Sequence, residues 1–272
     1  MTLIDGRPLA TLPSDDRGLH YGDGLFETMR AADGCVPLLA RHLARLRDGC
    51  GALGIVAPSD DDWAADLDAL GLGAGPAVVK LLVTRGGGGR GYAPSTDATP
   101  RRIVQRLAPQ AWPADHARDG IELALCPVRL AVGGPLAGLK HLNRLEQVLG
   151  RRALAASGAV EGVMCDLDGA PISGTMTNLF LTADGRLATP SLTRCGVRGV
   201  ARGLLIELAT ALGIGCEERA IALHELATAD ELLVCNSVVG IWPVRRHSGR
   251  TLVPGPITRA LQAALAGRGL PS

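Results

Sequence analysis

Segments with the spacing of strands and segments with the spacing of helices alternate irregularly along this chain. One polar stretch, PQAWPADHARDG (109–120), interrupts them with two prolines and no hydrophobic period. That pattern predicts two α/β domains with mixed sheets (an α+β arrangement) joined by a linker. We place a smaller N-terminal domain at 1–112, the linker at 113–120 and a larger domain at 121–272. In the first domain, LFETMRAADGCVP (25–37) reads as a strand, an Asp33-Gly34 turn and a return strand. LLARHLARLRDGCGALGI (38–55) carries leucines at helical spacing and stops at glycine. A second helix starts at SDDDWAADLDALGL (59–72), where Ser59 and Asp62 have capping-box spacing. PAVVKLLVTRGGGG (76–89) is a strand entering a glycine loop, and RRIVQRLA (101–108) its return. Beyond the linker, IELALCPVRL, EGVMCDLDG, TNLFLTADG and ELLVCNS read as strands, and HLNRLEQVLGRRALAAS, VARGLLIELATALGI and ITRALQAALAGR as helices.

Composition excludes several classes. A chain of 272 residues, 47% hydrophobic and 20% charged, is globular rather than disordered or fibrous. Its formal net charge of +1 supplies no general attraction to nucleic acid or to an anionic membrane. No stretch approaches the roughly 20 apolar residues that a spanning helix needs, and the first residues hold charges instead of a signal-peptide run. The seven cysteines are scattered without a CxxC pair, and the histidines lack HxxxH or HExxH spacing. We therefore expect a cytoplasmic protein with reduced thiols and no metal site.

Basic residues are used unevenly. Of the 28, only Lys80 and Lys140 are lysine and the remaining 26 are arginine. A lysine amine becomes nucleophilic when burial or a neighbouring cation lowers its pKa, and it then condenses with carbonyls, which arginine cannot do. Lys80 sits in VVKLLV, where alternation can simply direct it to solvent. Lys140, in LAGLKHLNRLEQVL, is the stronger candidate for amine chemistry. A second candidate feature is CGVRGVARGLL (195–205), where glycines run into a helix start beside Arg198 and Arg202; free N–H groups there can cradle phosphate. RGGGGRGY (85–92) has GxGxxG spacing but lacks a following helix, and better suits a closely approached loop presenting Arg85, Arg90 and Tyr92. Tyr21, Phe26 and Tyr92, three of the four phenylalanines and tyrosines, lie in or beside glycine-containing loops, as rings lining a site would.

Taken together, DRGLHYGDGLFETMR, RHLARLRDGCGALGI, VTRGGGGRGY, LAGLKHLNRLEQVL, EGVMCDLDG, TNLF, GVARGLLIELATALGI and DELLVCNSVVGIWPV resemble, in order, segments of the fold-type IV pyridoxal-phosphate enzymes. That family holds the branched-chain and D-amino-acid aminotransferases, and the segments are most like those of its aminodeoxychorismate lyases. The resemblance implies a two-domain fold with pyridoxal 5′-phosphate at the domain interface. It implies that Lys140 carries the cofactor and moves protons, and that Arg45, Val200, Ala201 and Ser237 hold its phosphate, with Gly199 and Asn178 beside them. Phe26, Thr28 and Asn143 would lie next to the substrate. Arg90, with Tyr92, would bind a substrate carboxylate, reaching the partner's site in a homodimer. One position departs from the aminotransferases: Ser173 stands where they have a glutamate that pairs with the pyridine nitrogen. A hydroxyl can hydrogen-bond that nitrogen but cannot stabilise its charge, which favours elimination over transamination. The activity implied is a lyase releasing 4-aminobenzoate and pyruvate, with a D- or branched-chain aminotransferase as the alternative.

Overall fold

The computed structural model describes residues 1–8, 11–155 and 158–271. The chain divides into two units, Met1–Gln110 with Leu139–Asn143, and Ala111–Gly138 with Arg144–Ser272. The first unit contains β1 (Thr2–Ile4), α1 (Arg17–Tyr21), β2 (Gly24–Ala31), α2 (Leu39–Leu53), α3 (Asp60–Leu70), β3 (Ala77–Thr84) and β4 (Arg101–Leu107). Its sheet runs β1-β4-β3-β2 with every pair antiparallel. Period-two alternation gives the sheet two different faces. Leu25, Met29, Val79, Leu81, Val83 and Val104 pack with Leu43 and Leu46 of α2 and with Trp63, Leu67 and Leu70 of α3. Phe26, Thr28, Lys80 and Leu82 occupy the alternate positions and stay half-buried. The Ser59–Asp62 capping box forms: the Asp62 N–H donates to Ser59 Oγ (3.1 Å) and the Ser59 N–H to Asp62 Oδ2 (3.0 Å).

The second unit contains α4 (Asp115–Arg118), β5 (Ile121–Leu125), α5 (Leu145–Ala155), β6 (Glu161–Cys165), β7 (Pro171–Ser173), β8 (Asn178–Ala183) and β9 (Arg186–Pro190). It continues with α6 (Val200–Ala211), β10 (Cys216–Arg219), α7 (Leu223–Thr228), β11 (Glu231–Asn236), β12 (Gly240–His247), β13 (Arg250–Thr251) and α8 (Pro256–Ala266). The strand order is β10-β9-β8-β11-β12-β5-β6-β7, with β13 on β12. A further β7–β8 pairing closes β8, β11, β12, β5, β6 and β7 into a ring, and it sets Ser173 opposite Asn178. The sheet is mixed: β9–β10, β12–β5 and β5–β6 are parallel and the other pairs antiparallel. Among the described residues no helix is long and apolar enough to cross a membrane.

Three local expectations change. No return strand follows Gly34; Ala32 and Cys35 form an isolated bridge, Leu38 takes a left-handed φ of 61°, and α2 begins at once. Part of the expected linker is instead the short helix α4, where the Trp112 and His116 rings both pack on Trp242, at 5.1 Å. The lysine segment Leu139–Asn143 is neither helical nor part of the C-terminal unit. Its backbone hydrogen-bonds the edge of β2 and so joins the first unit, and the helix starts only at Leu145.

Candidate active site

Lys140 is positioned by main-chain pairing. The Phe26 N–H donates to the Lys140 carbonyl (3.0 Å) and the Leu142 N–H to the Gly24 carbonyl (3.0 Å), with a Leu25–His141 bridge between them. This short edge segment places Leu25 and His141 on one face, so that Lys140 and Phe26 share the other. The Lys140 amine lies 4.1 Å from the centre of the Phe26 ring, and the Lys80 amine lies 5.2 Å from the same ring. Lys80 pairs in register with Thr28. The chain's only two lysines thus converge on one aromatic ring. Sequence alternation alone did not reveal this for Lys80; the signal available was its parity, opposite Thr28 on a neighbouring strand. Asn143 is held at Gly22, whose carbonyl accepts from Nδ2 (3.3 Å). Gly22 has φ 64°, and a Cβ there would stand 2.3 Å from Asn143 Oδ1, so the turn requires glycine twice over.

On the opposite face of β2, Glu27 receives Arg45 through Nε (2.8 Å to Oε1) and through Nη2 to Oε2, and His42 Nδ1 lies 2.6 Å from Oε2. His42 and Arg45 are three residues apart on α2 and share its inner face. Glu27 and His42 are fully buried, while Arg45 keeps a small exposed fraction. Burial works to raise the Glu27 carboxyl, but hydrogen bonds from His42 and Arg45 outweigh it and hold the group below its ordinary range. Burial lowers His42, and the charges of Arg45 and Lys140 add to this, so the ring stays neutral despite Glu27. Both groups therefore bind protons less readily when folded than when unfolded. Their stabilisation is complete above the ordinary histidine value of 6.5 and declines as pH falls through it, with Glu27 adding to the decline below 4.5. We expect stability to fall between pH 6.5 and pH 5 by up to about 1.4 kcal/mol per pH unit for His42, read as a lower Tm at pH 5 than at pH 7. A melting series in which His42→Gln shows the same slope near pH 6.5 would contradict this assignment.

The glycine loop is anchored by other arginines. Arg17 donates from its guanidinium to the carbonyls of Gly91 (3.1 Å) and Tyr92 (2.9 Å) and from Nε to Asp23 (3.0 Å). Arg85, which the sequence offered as a possible substrate contact, is occupied by Asp23 and by the carbonyls of Leu53 and Gly54. Burial raises the Asp23 carboxyl, yet Arg85 and Arg17 together bring it below its usual range. What the anchored loop presents outward is Arg90 and Tyr92, the latter 88% exposed, with the Tyr21 ring 5.6 Å from Tyr92.

In the second unit the start of α6 is left open by its own side chains. Gly199 is its N-cap, no side chain caps it, and its first turn holds no acidic residue. Val200 and Ala201 are buried there, and the first N–H groups of a helix have no partner within it. By contrast, the N–H groups of Ile257 and Thr258 that open α8 are closed by the Glu231 carboxylate, at 3.1 and 2.9 Å. Asn178 fixes the approach to α6 by donating to the Val197 carbonyl (2.9 Å). A Cβ at Gly199 would lie 2.1 Å from Asn178 Oδ1, which only glycine avoids. Arg202, by contrast, is buried away from such a role, bonded to Thr189, Pro190 and Glu218. Ser237 is buried just beyond β11. Ser173 is buried and donates to the Gly174 carbonyl (2.9 Å). The neighbouring buried carboxylate, Glu161, is fully engaged by donors from Gly162, Thr175, Met176 and Thr177.

The chain's similarities agree with these features. The family model of the class IV amino-transferases matches residues 24–247. An aminodeoxychorismate lyase from Vibrio harveyi is 33% identical over 97% of this chain and 99% of its own. A putative branched-chain-amino-acid aminotransferase from Methanocaldococcus jannaschii is 34% identical over 91% of this chain and 87% of its own. The crystal structure of 4-amino-4-deoxychorismate lyase from Pseudomonas aeruginosa superposes with a TM-score of 0.92 at 47% identity, covering 98% of both chains. With its mixed sheets, its edge-bound lysine and its match to the family over most of its length, this chain belongs to the class IV aminotransferases.

Proposed function

We propose that the chain is a pyridoxal-phosphate-dependent lyase that converts 4-amino-4-deoxychorismate to 4-aminobenzoate and pyruvate. The observation that carries this reading is the seating of the Lys140 amine on the Phe26 ring, in a chain that otherwise uses arginine. The donor types fit a phosphorylated aldehyde: in the first unit an amine at Lys140 and an arginine fork at Arg45, and in the second the N–H groups of Val200 and Ala201 after the Gly199 N-cap and the buried hydroxyl of Ser237. When bound, pyridoxal phosphate supplies an aldehyde that condenses with amines and a ring that draws electrons from the carbon bearing nitrogen. Lys140, once free, removes the proton from that carbon. The carbon–oxygen bond to the enolpyruvyl group then breaks, the departing group takes the electron pair and a proton to become pyruvate, and the ring becomes aromatic. Ser173, whose one O–H donates to the Gly174 carbonyl in this structure, would turn that proton to the pyridine nitrogen when cofactor is bound, a neutral contact that suits elimination because the leaving group carries the electrons away. Phe26, Thr28 and Asn143 orient the substrate.

Arg90 and Tyr92 are assigned to a substrate carboxylate in the neighbouring site of a homodimer. Their exposure supports this, as does the exposed stripe Leu145, Val148 and Leu149 on one face of α5, apolar surface that a second copy of the chain would cover. Incubation with aminodeoxychorismate and cofactor should release pyruvate, read by a coupled lactate dehydrogenase. Amine transfer from a D- or branched-chain amino acid to 2-oxoglutarate without pyruvate release would instead favour the aminotransferase reading, which the Methanocaldococcus relative supports.

A further inference from the structure

We propose that Glu27 and His42 are positioning residues that fix the guanidinium of Arg45 for a phosphate. The inference rests on the reading of Arg45 as a phosphate ligand. Arginine presents its N–H donors in a rigid planar fork, so occupying one edge sets the direction of the rest. Glu27 takes the Nε edge, accepting from Nε at one oxygen and from Nη2 at the other. The carboxylate is itself pinned twice, by its place in the middle of β2 and by His42. An ionised carboxylate can only accept, so the 2.6 Å contact assigns the His42 proton to Nδ1. Nε2 is buried and has no hydrogen-bond partner, which is the form a neutral ring takes. A buried polar atom left unpaired costs stability, and His42 keeps one while spending its single proton on Glu27.

The pair holds the arginine at the expense of charge. Glu27 cancels the Arg45 charge and neutral His42 adds none. If simple attraction to an anion were the purpose, an uncompensated arginine would serve better. Three buried donor contacts on one carboxylate instead remove the rotamer freedom that a long side chain otherwise loses when it binds. Geometry and charge then predict opposite signs for one substitution. Glu27→Gln adds a net positive charge beside Arg45 but weakens its fork, so a charge role predicts tighter phosphate binding and a positioning role predicts weaker binding.

The test compares pyridoxal 5′-phosphate with pyridoxal, which lacks the phosphate, by equilibrium titration of the apoprotein. Glu27→Gln and His42→Leu should each weaken pyridoxal phosphate about five- to tenfold and change pyridoxal less than about twofold. His42→Gln, which retains an N–H donor, should stay within about twofold of the parent. Arg45→Lys keeps the charge and loses the fork, and should abolish most of the preference for the phosphorylated form. Unchanged or tighter pyridoxal phosphate binding in Glu27→Gln overturns the positioning role. Equal losses for both ligands also overturn it, since they report a general structural defect. An Arg45→Lys or Arg45→Ala variant with an intact preference would instead overturn the assignment of Arg45 itself.

Discussion

Replacing Lys140 with alanine is expected to abolish the visible absorbance that cofactor gives the purified chain and to lower pyruvate release by on the order of 10⁴-fold. The size follows from losing two roles at once, the covalent anchor and the base, which no arginine can assume because its guanidinium does not deprotonate at working pH. Lys80 is the group that could leave residual turnover, since its amine lies 5.2 Å from the same Phe26 ring. Lys80→Ala should keep the absorbance, whereas the double variant should lose whatever the single Lys140 variant retains. The fold is expected to survive, because the Lys140 carbonyl accepts from the Phe26 N–H, a tie to β2 that alanine keeps. A small primary amine in solution should then restore part of the proton transfer. Retention of the full absorbance in Lys140→Ala would remove Lys140 from the chemistry.

Local signals and tertiary contacts divide what could be read from the residues alone. The helix α2 is legible because its leucines repeat at helical spacing and Gly54 ends it in a left-handed conformation; α3 is legible because its capping box is a contact across three residues. The edge segment at Lys140 is different. Its partners are the main-chain groups of Gly24 and Phe26, far away in the chain, and nothing in LKHLN specifies them, so the sequence pattern reads as a helix from His141 although the helix begins at Leu145. The four-residue helix α4 owes its place to Trp112 and His116 packing on Trp242, contacts that no local propensity encodes. Among the site residues, the contrast of two lysines with 26 arginines singled out Lys140 as amine chemistry. Glu27 and His42 carry no local signal, because a buried acid and a buried histidine become a pair only once a strand and a helix are brought face to face.

Ser173→Glu is expected to shift the balance of reactions. A carboxylate at this position would pair with a protonated pyridine nitrogen, and a hydrogen bond to a charged group exceeds a neutral one by about 1 to 2 kcal/mol, or about tenfold in rate for a step that depends on electrons stored in the ring. Transamination is such a step, so amine transfer from an amino acid should rise about tenfold relative to pyruvate release. Ser173→Ala should leave the ratio near that of the parent. The same substitution has a signature in stability. Ser173 is buried opposite Met164 and Asn178, next to the Gly174 turn against which Glu161 already spends both oxygens. A second carboxylate there has no partner in the apoprotein and must be protonated or desolvated, so apoprotein Tm should fall. Cofactor supplies the missing cation, and the gap in Tm between apo and loaded forms should widen relative to the parent. An equal loss of Tm in both forms, with the reaction ratio unchanged, would show that Ser173 does not face the pyridine nitrogen and that elimination is favoured for another reason.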